Sequence, residues 1–247
     1  MLQSHVLEQT SHRPWPPPRG PWMQAQTWRD LLFAHWALDP AALRPLVPSE
    51  LPIDTFDGCA WLAVTPFEVC DLRLHGMPPV PRLSRFAETN VRTYTTVGGK
   101  PGIWFFSLDA ASLLAVVGAR LTYALPYFHA RMSIARAADG EIAYATSRSA
   151  GGAALRARYR PAGDPFEGRP GTLEHFLTER YCLYTVVGGT VRRAEIHHPR
   201  WPLTQATAEI ERNTMAVPLG LDLSADEPLL HFAARQDVVI WAPKRVA

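Results

Sequence analysis

Lysine is nearly absent from this chain of 247 residues: only Lys100 and Lys244 occur, against 25 lysines and arginines in all. Codon bias in a GC-rich genome accounts for such a skew, yet it also removes most candidates for amine chemistry. Cysteine is scarce as well. Cys59, Cys70 and Cys182 stand far apart with no C-x-x-C pair, which fits reduced thiols in a cytoplasmic protein rather than a disulfide framework. No apolar run approaches the roughly 20 residues that cross a bilayer, and the N-terminus lacks the basic-then-apolar pattern of a signal peptide. The net charge is only +2 with no basic run, so a nucleic-acid footprint is missing. Walker A, G-x-G-x-x-G and G-x-S-x-G motifs are absent, as are H-x-x-x-H and clustered metal-ligand spacings. The adjacent His197 and His198 would face opposite ways on a strand and do not chelate one ion.

What is present is an ordinary globular balance, 47% hydrophobic and 19% charged, with enough apolar surface for a substantial core. Residues 1–21, including the Pro-rich stretch His12–Gly20, read as a floppy or surface-hugging arm. Residues 22–247 then read as one domain in which strands outnumber helices. A strand over Trp28–Leu38 precedes a helical turn opened by Asp39-Pro40. A hairpin turning at Phe56-Asp57-Gly58 leads to a strand over Cys59–Thr65 that Pro66 is expected to stop. Hairpin turns are expected at Gly98-Gly99 and Gly188-Gly189, and a turn at Ala138-Asp139-Gly140. Leu113, Leu114, Val117 and Leu121 follow helical spacing between Ala110 and Tyr123. Thr172 caps a predicted helix reaching about Arg180, another helix is predicted near Leu203–Asn213, and a strand pair near Leu229–Ala242 ends the chain. Hairpin order with inserted helices implies an antiparallel α+β fold, β-rich, and closure into a barrel would remove its edges. The similar hexapeptides Tyr94–Gly99 and Tyr184–Gly189 hint at an internal duplication.

The stretch Phe86–Tyr94 reads as a strand with charge where apolar residues belong. Glu88, Asn90, Arg92 and Tyr94 share one face, while the other, with Thr89, Val91 and Thr93, is no more polar. An ionisable face turned inward must pair internally or with a ligand, because an unpaired buried charge costs several kcal/mol on the order of magnitude. An exposed edge strand with a surface salt bridge would carry the same residues. After Pro126, a second strand puts Tyr127, His129 and Arg131 on one face, either inward or toward solvent.

These motifs resemble a bacterial family, the domain of unknown function 2071. The resemblance rests on Asp54–Gly58, Trp61 to Pro66-Phe67, Phe86-x-Glu88-x-Asn-Val-Arg92-Thr-Tyr94, Gly102-x-Trp104 to Ala110, Ala119-Arg120 to Leu125-Pro126-Tyr127, Phe176 to Arg180-Tyr181, and His198-x-x-Trp201-Pro-Leu203. It covers roughly residues 22–212. That family is similar to acetoacetate decarboxylase, which implies a closed β-barrel or cone with a charged central cavity and a few peripheral helices. In the decarboxylase, a glycine-arginine-glutamate run leads to proline-lysine-lysine, one lysine forming a Schiff base with the keto acid. Here Ala119-Arg120-Leu121 leads to Pro126-Tyr127-Phe128, so both lysine positions are aromatic, and Schiff-base decarboxylation is not expected. Glu88 matches a cavity glutamate.

Two functional expectations follow. In the first, the chain is a cofactor-free lyase, hydratase or isomerase acting on a small anionic or carbonyl compound. Glu88, Tyr127 and Arg120 would be catalytic, and Asn90, Arg92, Tyr94 and His129 would bind substrate, with no metal. In the second, a non-catalytic binding or sensing barrel has kept the pocket, and the lost lysine tilts the sequence toward it. No nucleic-acid or membrane partner is expected. Related barrels often form oligomers, so a homo-oligomer is compatible with the resemblance, although no coiled coil or obvious patch marks an interface.

Overall fold

The computed structural model describes residues 3–81 and 83–246, so the first two residues of the expected arm lie outside the described residues. In chain order the elements are β1 (Gln24–Leu38), α1 (Pro40–Leu43), β2 (Thr55–Phe56), β3 (Cys59–Leu74), β4 (Phe86–Val97), β5 (Lys100–Ala110) and α2 (Leu113–Tyr123). Then come β6 (Tyr127–Arg136), β7 (Ile142–Arg148), β8 (Ala154–Phe166), α3 (Leu173–Thr178), β9 (Cys182–Val187), β10 (Thr190–His197), β11 (Leu203–Asn213), β12 (Leu229–Ile240) and β13 (Lys244–Arg245). The fold is β-rich with few helices, and most pairings are antiparallel. Two short ladders are parallel: β5 with β6 at Leu108–Ala110, and β5 with β9 at Ile103-Trp104.

One path of pairing runs β13-β10-β9-β5-β4-β3-β1-β12-β11-β8-β7-β6. Two further pairings, β10 with β12 and β5 with β6, return each end of that path to strands in its middle. Strands β5, β4, β3, β1 and β12 therefore lie on both circuits, and each packs a core on each side. Leu31, Phe33, Phe67, Phe86, Leu108, Leu183, Ile196 and Ile240 belong to the first core. Leu32, Trp36, Leu62, Val91, Tyr144, Leu155, Tyr159 and Phe232 belong to the second.

Local chemistry explains the joints. Asp39 caps α1 by accepting from the Ala41 backbone N–H at 2.8 Å, with Pro40 in the first turn. Gly98-Gly99 and Gly188-Gly189 all take positive φ, the backbone a two-residue hairpin turn requires. The arm is docked rather than floppy. Val6 is fully buried, and the Arg13 guanidinium reaches Glu195 at 3.1 Å on β10.

Three expectations fail. Pro66 does not stop its strand, because the β1–β3 ladder is interrupted between Arg29/Glu68 and Ala34/Val64, opposite the proline, so its missing N–H forfeits no bond there. Leu203–Asn213 is a strand, not a helix: Ala206, Ala208 and Ile210 alternate with Gln205, Thr207 and Glu209, and pairing with β8 overrides the helix propensity of Ala and Glu. Leu229–Ile240 forms one long strand instead of a pair. The helix expected between Ala110 and Tyr123 is α2, and its apolar stripe faces outward: Leu113, Leu114, Val117 and Leu121 are exposed, while Val116 and Tyr123 are buried.

Where β5 meets β9, Gly102 has no room for a side chain. A Cβ would stand 2.6 Å from Tyr184 Cε2 and 2.8 Å from the Cys182 carbonyl oxygen. Gly102→Ala is expected to destabilise the protein by about 1–3 kcal/mol, measured by urea denaturation. Unchanged stability would mean that β9 yields freely at this contact.

Candidate functional site

The even-numbered side chains of β4 from Phe86 to Arg92 turn toward the first core, and three of these four are polar. Glu88, Asn90 and Arg92 line a cavity of about 60 Å³ together with Tyr127, Gln24, Gln26 and Tyr123, against walls that include Leu31, Phe67, Ile103 and Phe105. The three β4 residues are only 4–6% exposed. Both faces of β4 are buried from Phe86 to Thr95, so the choice between an inward and an outward polar face does not arise. The odd-numbered face meets the second core.

Tyr127, the first residue of β6, donates its hydroxyl to Glu88 Oε2 at 2.9 Å. From the other core, Tyr144 donates to the Glu88 backbone carbonyl at 2.8 Å and lies 2.9 Å from Thr89 Oγ1, which pins the strand at this residue. Burial pushes the Glu88 carboxyl up to about 8, and the buried charge of Asp109 adds to the rise, while the Tyr127 hydrogen bond opposes it. At neutral pH Glu88 is therefore mostly the neutral acid. Burial, then Glu88, lifts Tyr127 well above the usual phenol range, so it remains a donor. Asp109 itself is paired: Arg148 donates from Nε and Nη2 to its carboxylate, at 2.7 Å for the shortest bond.

Arg92 is different. Its Nε is buried without a hydrogen-bond partner, and its guanidinium lies 5.3 Å from the Phe33 ring centre and 5.9 Å from that of Tyr94. Arg13, Arg148 and Arg180 each hold a carboxylate, on Glu195, Asp109 and Asp54; among the described residues Arg92 forms no such pair, nor does Arg73, which lies outside the cavity lining and donates Nε to Gln3 Oε1 at 2.9 Å. Asn90 Oδ1 is likewise buried and unpartnered. Arg92 Nε and Asn90 Oδ1 are thus unpaired on two residues that line the cavity.

Of the other sequence candidates, Tyr94 sits behind Arg92, outside the cavity lining. Its hydroxyl lies 2.7 Å from His35 Nε2, and the Arg180 guanidinium is 4.9 Å from its ring centre. Burial and then the neighbouring Arg92 hold His35 well below the usual imidazole range, hence neutral. Arg120 is exposed at the end of α2 and donates Nε to the Tyr127 backbone carbonyl at 2.7 Å, reaching Tyr127 from outside the cavity. His129 is exposed as well, 2.9 Å from Ser149 Oγ. Only Phe128 separates it from Tyr127, and β5 ends at Ala110 beside it, so no neighbouring wall covers it. Gln24 and Gln26 escaped the sequence reading, although the alternation Gln24-x-Gln26-x-Trp28 carried the signal.

Neither lysine lines the cavity: Lys100 Nζ binds Glu195 at 3.0 Å, and Lys244 is exposed on β13. Among the described residues, no group of three or more His, Cys, Asp or Glu side chains has the geometry to hold a metal ion, and no helix is long and apolar enough to cross a membrane.

Comparison with known proteins agrees with this architecture. The chain is 45% identical over 224 residues to the uncharacterized protein YqjF of Bacillus subtilis, covering 91% of this chain and 93% of that one. Among solved structures, it is similar to an acetoacetate decarboxylase-like enzyme from Sphingomonas wittichii (15% identity, TM-score 0.62, covering 96% of this chain and 99% of that one). It is also similar to acetoacetate decarboxylase from Legionella pneumophila (14%, 0.61, 98% and 95%). A third is the enduracididine biosynthesis enzyme MppR complexed with pyruvate (11%, 0.62, 96% and 93%). At these identities the likeness is one of fold. Residues 25–237 match the DUF2071 family, described as an uncharacterized conserved protein, and the chain belongs to that family.

Proposed function

We propose that this chain is a small-molecule-binding barrel whose cavity takes a compact carboxylate or carbonyl compound. The observation that carries the reading is the buried Arg92 guanidinium, without a carboxylate partner, beside a glutamate held neutral. A bound carboxylate would supply the missing counter-charge and accept from the unused Nε. About 60 Å³ has room for roughly four to six heavy atoms, judged by the space one buried water takes. Pyruvate, with which the structural neighbour MppR is complexed, is of that size. The three unpaired cysteines are in keeping with a cytoplasmic protein.

The same geometry supports proton transfer. A carboxyl that titrates near 8 is poised close to neutral pH as a general acid or base. With a carboxylate on Arg92, Glu88 would protonate or deprotonate a carbon or oxygen next to the ligand carbonyl, while Tyr127 stabilises negative charge on Glu88 or on the ligand oxygen. Lyase, hydratase or isomerase chemistry fits. Among the described residues no lysine lines the cavity, which argues against a Schiff base and supports the second reading, a binding or sensing protein without turnover.

Ligand affinity should follow the protonation of Glu88. Above about pH 8 the ionised Glu88 would repel the ligand carboxylate and neutralise Arg92. Calorimetry with pyruvate, acetoacetate and short fatty acids is expected to find a ligand whose Kd rises about tenfold per pH unit above 8. Arg92→Ala should abolish binding, and Glu88→Gln should retain it without the pH dependence. Failure of every such acid to bind, together with native mass spectrometry showing no retained metabolite, would sink the reading.

Stability should carry the same signature. The ordinary glutamate value is 4.5, against about 8 in the folded chain. Between these values folding takes up a proton, so Glu88 makes stability fall by about 1.4 kcal/mol per pH unit as pH rises. Glu88→Gln should remove that component and leave the variant less pH-sensitive than the wild type from pH 5 to 8. Parallel denaturation curves for the two proteins would show that Glu88 is not held neutral.

A further inference from the structure

Large apolar residues are unevenly placed on the surface. Ten are substantially exposed among the described residues, and eight of them fall in two segments, four between positions 74 and 83 and four on α2. Both segments leave the same end of the sheet. Leu74 pairs with Gln24 at the cavity rim, β4 begins at Phe86, and the chain enters α2 from Ala110, which pairs with Glu88. The inner side of α2 supplies Ala119 and Tyr123 to the cavity, so its outer side is the roof of that cavity. Leu113, Leu114, Val117 and Leu121 on this outer side are 60, 63, 48 and 81% exposed.

Lone apolar side chains on a surface need no explanation, but a concentration of this kind does. Each of the eight exposes on the order of 100 Å². Together they approach the ~800 Å² that each partner contributes to a standard specific interface.

Gly118 indicates what covers the face. It lies mid-helix and exposed, four residues from Leu114 and three from Leu121, hence on their side of the helix. Glycine weakens a helix interior, and a Cβ at Gly118 would meet nothing within 4 Å. Nothing inside the chain requires the missing side chain. The dent between two leucines fits the close approach of a second backbone. The only charge on α2, Arg120, has its Nε on the Tyr127 carbonyl, whereas a helix that lies on anionic lipid presents a row of free cations.

We infer that α2, with Leu74, Met77, Val80 and Leu83 beside it, forms a homodimer interface in which two copies of α2 cross antiparallel at Gly118 about a two-fold axis. Such an interface is self-complementary: Leu114 of each copy meets Leu121 of the other, and its centre is uncharged. Each partner then holds the roof of the other's cavity in place. The inference stands apart from the reading of the ligand.

Sedimentation velocity of the full chain is expected to give twice the 27.5 kDa chain mass at micromolar concentration. Leu114→Glu, Leu121→Glu and Gly118→Leu should each weaken the dimer at least about a hundredfold while keeping wild-type circular dichroism. Val187→Glu, an exposed apolar site elsewhere, should leave it intact. Gly118→Leu improves helix propensity, so its effect cannot come from unfolding of α2. A wild type that stays monomeric through tens of micromolar would overturn the inference, as would a dimer that survives Leu114→Glu with Leu121→Glu. A monomer that co-sediments with phosphatidylcholine–phosphatidylglycerol vesicles would assign the face to a membrane instead and would equally overturn it.

Discussion

Burial of β4 on both faces is the constraint on which the rest depends. A strand with one wet face would leave Glu88 and Arg92 solvated, and burial would not push the Glu88 carboxyl up. Because β4 separates two cores, each polar side chain on it must find a partner in the protein, change its protonation state or wait for a ligand. Thr89 takes the first course with Tyr144 and Glu88 the second. Arg92 takes neither, since a guanidinium does not give up its proton.

The difference between Arg92 and the buried arginines that hold carboxylates gives the cavity its direction. Arg13, Arg148 and Arg180 tie distant segments together through carboxylates, and their charge is fully used. Glu195 is the busiest of these acceptors, taking Arg13, Lys100, Arg193 and the Trp15 indole N–H. That hub removes one of the two lysines from any chemistry and fastens the arm at the same time. Positive charge without a partner is left at the cavity, beside a carboxyl that burial has neutralised.

Much of this was legible in the sequence where one local rule decides the outcome. The glycine-pair turns, the Asp39-Pro40 cap and the polar alternation of Glu88, Asn90 and Arg92 needed no tertiary information. What could not be read was the surroundings of each segment. Leu203–Asn213 contains good helix formers, and only its pairing with β8 makes a strand of it. Pro66 looked like a terminus because the gap in the neighbouring ladder is set by a strand some thirty residues upstream in sequence. The helical spacing of Leu113, Leu114, Val117 and Leu121 was visible, but a stripe does not say which way it faces. Arg120 and His129 failed to reach the cavity for a related reason: their strand and helix were foreseeable, and the point where β5 stops covering them was not.

The sharing of strands between two circuits also bears on how the chain is made. β1 near the start pairs along most of its length with β12 near the end, from Gln24↔Ile240 to His35↔Leu229. Neither core can close until that last long strand has left the ribosome, so the growing polypeptide carries unfinished sheet edges through most of its synthesis. Order must then arrive late and cooperatively, with loop-closure entropy met in one step rather than domain by domain.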